Sequence, residues 1–129
     1  MPEPRKRLLE ADVEDACCRY ARRKGIWVRK FLSPNNRAEP DRLHIVPPLG
    51  WAFFIEYKRP GLAAKFPADA HEREQHRKHE KIRKAGNVVY VVDDIAAGKA
   101  IMDLYLELRD IVLKFVLTGV PNDTEQDRK

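Results

Sequence analysis

The segment Trp51 to Lys58, WAFFIEYK, constrains this chain more than any other. Trp51, Ala52, Phe53, Phe54 and Ile55 read as a strand built for a core, yet the same strand runs directly into Glu56, Tyr57 and Lys58. An isolated buried charge costs several kcal/mol or shifts its pKa until it is neutral. The end of this strand must therefore meet compensating groups. Residues two apart on a strand share a face, so Glu56 and Lys58 point the same way.

The surrounding pattern supplies a frame. Leu9, Val13, Ala16, Cys17, Tyr20 and Ala21 form one face of an amphipathic helix over residues 8–24, which Gly25 stops. Ile26 to Leu32 reads as a strand, with Ile26, Val28 and Lys30 on one face and Trp27, Arg29 and Phe31 on the other. SPNNRAEP, residues 33–40, is a loop by composition. Arg42 to Val46 is a short strand, and the turn PPLG at 47–50 joins it to the strand beginning at Trp51 as a hairpin.

A second helix is expected over Asp69 to Ala85, with Asp69 as N-cap and Gly86 as stop. Its inward stripe reads His71, Gln75, His79 or Lys78, and Ile82. A second stripe, Arg73, Arg77, Lys81 and Lys84, is wholly basic. NVVYVVD, residues 87–93, is a strand apolar enough to be buried on both faces. A third helix follows over 95–117, and residues 121–129 form a polar tail. The order α-β-β-β-α-β-α predicts an α/β protein with a mixed sheet flanked by helices. At 129 residues, a single domain over 1–120 with one core is the expectation.

Asp41 immediately precedes the first strand of the hairpin, at the end far from its turn. It should therefore lie beside Glu56 and Lys58. Two carboxylates held together repel unless a proton or cation sits between them. All-oxygen coordination by Asp and Glu suits Mg²⁺ or Mn²⁺. A plain surface ion pair between Glu56 and Lys58, worth less than about 1 kcal/mol, is the competing reading.

PDRLHIVPPLGWAFFIEYKRPG, residues 40–61, resembles the core of the PD-(D/E)XK nucleases and, more narrowly, the VRR-NUC family. VEDACCRYARRKG before it resembles the family's first helix with its glutamate. EQHRKHEKIRKAGNVVYVVDD after it resembles the Gln-bearing helix, its glycine stop and the last core strand. The resemblance covers residues 8–100. It implies a restriction-endonuclease-like fold and a Mg²⁺- or Mn²⁺-dependent endonuclease acting on structured or branched DNA, as Holliday-junction resolvases do. A non-catalytic DNA-binding or assembly module on the same fold is the alternative, and an RNA-directed nuclease a third.

Carried over by position, Asp41, Glu56, the carbonyl of Tyr57 and Glu14 would hold the metal. Lys58 would be the catalytic lysine, and Gln75 would position it, a water or a phosphate. Ala38 stands where the family often has glycine, two residues before Pro40.

Charge agrees with a polyanionic partner. Residues 1–90 hold 20 Lys/Arg against 12 Asp/Glu, while residues 91–129 hold 5 against 8. Arg37, Arg42, Arg73, Arg77 and Lys81 are the leading phosphate contacts, with Arg22, Arg23, Lys24, Arg29 and Lys30 as further ones. No aromatic-rich platform for single strands is evident in the sequence to favour RNA. His71, His76 and His79 lack the spacing of a zinc site.

The third helix is apolar nearly all round, which predicts a twofold homodimer through it. The adjacent free thiols of Cys17 and Cys18 fit a reducing compartment, so cytoplasm is the expected location. No apolar run is long enough for a membrane span.

Overall fold

A computed structural model describes residues 7–31 and 41–118. The elements, in chain order, are α1 (Glu10–Arg23), β1 (Trp27–Lys30), β2 (Arg42–Val46), β3 (Trp51–Tyr57), a short 3-10 turn at Ala63–Lys65, α2 (Ala70–Lys84), β4 (Val89–Val92) and α3 (Ile95–Thr118). The strands form one mixed sheet in the order β1-β2-β3-β4. β1, β2 and β3 pair antiparallel, and β4 pairs parallel to β3 after the crossover through α2. The expected element order and mixed sheet are both present, and none of the helices described is long and apolar enough to cross a membrane.

Local signals explain the boundaries. The Leu9 N–H donates to the Asp12 carboxylate at 2.8 Å and starts α1. Gly25, at φ +84°, ends it, because a left-handed residue without Cβ lets the Ile26 N–H return to the Ala21 carbonyl at 2.9 Å. The Asp69 carboxylate caps α2 by accepting the Glu72 N–H at 2.8 Å.

The core lies between the sheet and the α1–α3 pair. Phe53, Ile55 and Tyr57 of β3 are fully buried there with Val13, Cys17, Ala21, Val46 and Met102, and Trp51 on the same parity is partly buried against them. Phe53 is flanked by His44 at 4.7 Å and Tyr105 at 4.3 Å between ring centroids, both stacked. At Gly98, α3 comes so close to α1 that an added Cβ would collide with the Cys17 sulfur. That contact sets the approach of the two helices.

One expectation changes and one holds. β4 lies at the edge of the sheet among the described residues, yet it is buried on both faces as expected: Val89, on the Phe54 side, and Val92, on the Tyr57 side, are each 3% exposed, with Tyr90 and Val91 half-buried. On α2, Gln75 and His79 are buried as expected, but His71 is exposed. Its neighbour Glu72 turns inward instead, since Glu72 lies three residues before Gln75 and one turn before the same face.

His44 is fully buried, and burial lowers its imidazole pKa to about 4. A histidine depressed in the folded state contributes stability that is complete above pH 6.5 and is lost as the pH falls toward 4. The total loss is about 3 kcal/mol for a shift of this size. Urea midpoints measured from pH 7 down to pH 4.5 should fall more steeply for the wild type than for His44→Phe.

Candidate metal centre

The even-numbered residues of β3 face away from that core, toward α2. Arg42 pairs with Ile55, so the next position out places Asp41 opposite Glu56. Two crossed bonds fix the pair. The Asp41 N–H donates to Glu56 Oε2 at 3.1 Å, and the Tyr57 N–H donates to Asp41 Oδ2 at 2.8 Å. Glu10, in the first turn of α1, completes the group: one carboxylate oxygen each from Glu10, Asp41 and Glu56 lie within 4.8 Å of one another. Glu10 stands in the first turn of α1, where the helix dipole favours negative charge.

Burial pushes the carboxyls of Asp41 and Glu56 well above the ordinary range, and their mutual repulsion adds to it for Glu56. Burial also raises Glu10. The Tyr57 N–H bond and Lys58 act in the opposite direction without cancelling the rise at Asp41.

Glu56 and Lys58 do meet, at 3.4 Å, and this is no surface pair: Glu56 is 1% exposed. The Gln75 amide bridges them, donating to Glu56 Oε1 at 2.7 Å and accepting from the Lys58 ammonium at 3.2 Å. Glu72 holds Lys58 from the other side at 2.8 Å. The Phe66 ring lies 5.3 Å from the ammonium, on a loop tied down where the Asp93 carboxylate accepts the Gly61 and Ala63 N–H groups.

Of the residues expected here, Asp41, Glu56, Lys58 and Gln75 converge. The Tyr57 side chain is buried in the core, so its backbone alone is near the cluster. Glu14 is placed differently from the expectation. Its carboxylate pairs with Arg42 at 2.5 Å on the core side of β2, close enough to Asp41 to add repulsion but outside the three-carboxylate group. Glu10, one helical turn earlier, reaches the cluster instead. Arg42 is thereby engaged and only 18% exposed at its side chain, which argues against its expected phosphate contact.

Arg73 and Lys81 stand exposed on α2; Arg77, also exposed, pairs with Glu74. Arg37 lies outside the described residues. None of the histidines joins a metal-competent group among the described residues.

The donor set fits a hard divalent cation: three carboxylates, all oxygen, two of them held where burial and repulsion leave charge uncompensated.

Comparison with known proteins bears on what such a cluster belongs to. No family profile and no curated protein matches the chain. Among solved structures, a VRR_NUC domain superposes with a TM-score of 0.59 at 27% identity, over 74% of this chain and 96% of that one. This likeness supports membership of the VRR-NUC family. The sheet and helices are thus a VRR-NUC fold of the restriction-endonuclease-like type, a nuclease-family scaffold. Two of the acids on this scaffold, Glu10 and Glu72, escaped the sequence reading. Glu10 lies off the apolar stripe that begins at Leu9, and Glu72 adjoins the stripe assigned to His71. The i, i+3 spacing of Glu72 to Gln75 was the available signal for the second.

The raised carboxyls carry a thermodynamic consequence. Groups whose folded pKa exceeds the unfolded one contribute stability that is complete below the unfolded pKa and lost as the pH rises through the folded value. At pH 8 in chelator, Asp41→Asn keeps the acceptor for the Tyr57 N–H and removes one repelling charge. Its melting temperature should exceed the wild type's by about 4–8 °C, roughly 1–2 kcal/mol. Addition of Mn²⁺ should raise the wild-type melting temperature and leave the variant's unchanged.

Proposed function

We propose that this protein is a metal-dependent endodeoxyribonuclease that hydrolyses phosphodiester bonds in structured or branched DNA. The convergence of Glu10, Asp41 and Glu56 beside the caged ammonium of Lys58 carries this reading. Glu10, Asp41 and Glu56, with the Tyr57 carbonyl, would hold Mg²⁺ or Mn²⁺. When bound, the ion supplies Lewis acidity and a lowered pKa for water.

The chain's own residues do the rest. Lys58 presents a positive charge to the phosphate oxygens as negative charge develops. Gln75 keeps its amide oxygen on Lys58 and its amide nitrogen on Glu56, so it sets the distance between ammonium and carboxylate. Phe66 covers one side of Lys58 and limits its hydration. Arg73 and Lys81 stand on the exposed face of the same helix, where they can take backbone phosphates without reading bases.

Cleavage of duplex, single-stranded, flap and four-way-junction DNA with Mg²⁺, Mn²⁺ or chelator tests the reading. Asp41→Ala, Glu56→Ala and Lys58→Ala should each lose at least about a hundredfold in rate, the scale of one electrostatic contribution. Glu10→Ala should lose more than Glu14→Ala. Full Mg²⁺-dependent cleavage by Glu56→Ala would refute the proposal. Inertness of the wild type on every substrate, with DNA binding retained, would favour a non-catalytic binding module.

The proposal extends to a homodimer through α3. Leu104, Leu108, Ile111 and Phe115 recur at i, i+4, i+7 and i+11 and are 44–56% exposed, a seam of coiled-coil spacing. Two copies joined along it would bring two metal sites to one branched substrate. Sedimentation at micromolar concentration should show a dimer for the wild type and a monomer for Leu108→Glu.

A further inference from the structure

One row of side chains beside the metal cluster has no place in the chemistry above. The β1–β2 register puts Val28 against His44 on the core face, so Trp27, Arg29 and Phe31 occupy the other face. That face is the one holding Asp41 and Glu56. The Phe31 N–H donates to the Asp41 carbonyl at 3.0 Å, and Asp41 stands opposite Glu56, so Phe31, Asp41 and Glu56 form one transverse row. At about 4.8 Å per strand, Phe31 lies roughly 10 Å from Glu56.

Trp27 is on the same face four residues back, about 13 Å along the strand. Both rings are open to solvent: Trp27 is 44% exposed and Phe31 39%. Each is also pinned. The Arg29 guanidinium lies 5.1 Å from the Trp27 ring centroid, and Phe31 meets the edge of Phe54 at 5.5 Å.

The outer row of β1 therefore reads aromatic, cation, aromatic, and it ends at the candidate metal centre. Aromatic rings stack on any base face, and interleaved cations meet phosphates. Two charges in a four-residue edge strand, Arg29 and Lys30, oppose pairing with the edge of a second copy. A negatively charged strand with free base faces complements the row in both shape and charge.

We propose that Trp27, Arg29 and Phe31 form a stacking platform for unpaired nucleotides of the substrate, continuous with the metal centre. This rests on the nuclease reading and narrows it. The preferred substrate is DNA with a single-stranded segment adjoining the cleaved bond, such as a flap, gap or opened junction.

The test uses the full chain in chelator, where no cleavage occurs, so it stands apart from any failure of catalysis. Anisotropy of a labelled oligothymidylate should show Trp27→Ala and Phe31→Ala binding about tenfold more weakly, with duplex affinity changed by less than about twofold. Equal losses on single strand and duplex, or no loss, would overturn the platform. A change of sedimentation in Trp27→Ala would do so as well, by marking the row as an interface between copies. Should an alanine variant fail to fold, Trp51→Phe leaves Trp27 as the only tryptophan of the two in the chain. Its emission should then be quenched by the oligonucleotide and not by the duplex; unquenched emission at saturation overturns the platform.

Discussion

Beyond the last rungs of the β2–β3 ladder, the hairpin is held by carboxylates in place of carbonyls. Glu56 accepts the Asp41 N–H, and Asp41 accepts the Tyr57 N–H. Buried backbone donors at a strand end need partners, and here acidic side chains provide them. The same two bonds force two negative groups together at the edge of a sheet. The fold and the electrostatic stress of the site thus have a common origin, and a bound cation would relieve the second without disturbing the first.

The rest of the site follows from keeping Lys58 beside that pair. The ammonium is offered three oxygen-bearing partners, Glu56, Gln75 and Glu72, with Phe66 alongside. Two of those partners come from one face of α2, and the helix's N-terminal cap is built around one of them. Glu72 gives its N–H to Asp69, accepts the Ala68 N–H at 2.9 Å and holds Lys58 with its other oxygen. Helix initiation and lysine placement are therefore coupled. A substitution at Asp69, exposed at the start of α2, would act on Lys58 through this carboxylate.

Much of this was legible in the residues. The hairpin, its register and the meeting of Asp41 with Glu56 followed from alternation and turn length, because period-two patterning and a four-residue turn leave few pairings. Gln75 followed from helical period. Glu10 did not, since an acid in the first turn of a helix already has a sufficient reason to be there in the helix dipole. Glu14 was displaced by a contact no local pattern encodes: Arg42, from a strand distant in sequence, claims it. Trp27 and Phe31 were assigned to one face of a strand, but only pairing with β2 reveals that this face also carries the acids. Linear sequence shows which residues share a side; it takes the sheet to show which sides coincide.

The parity of β3 has a further consequence. Phe53, Ile55 and Tyr57 secure the interior, while Glu56, and Lys58 just beyond the strand, belong to the opposite surface. Scaffold and reactivity are written on alternate letters of the same short word. A lineage could rewrite one set and leave the other untouched, retaining a sound framework after its acids had gone. Inert descendants on an intact framework are an accessible outcome of this architecture, and so is the recruitment of new chemistry onto an unchanged interior.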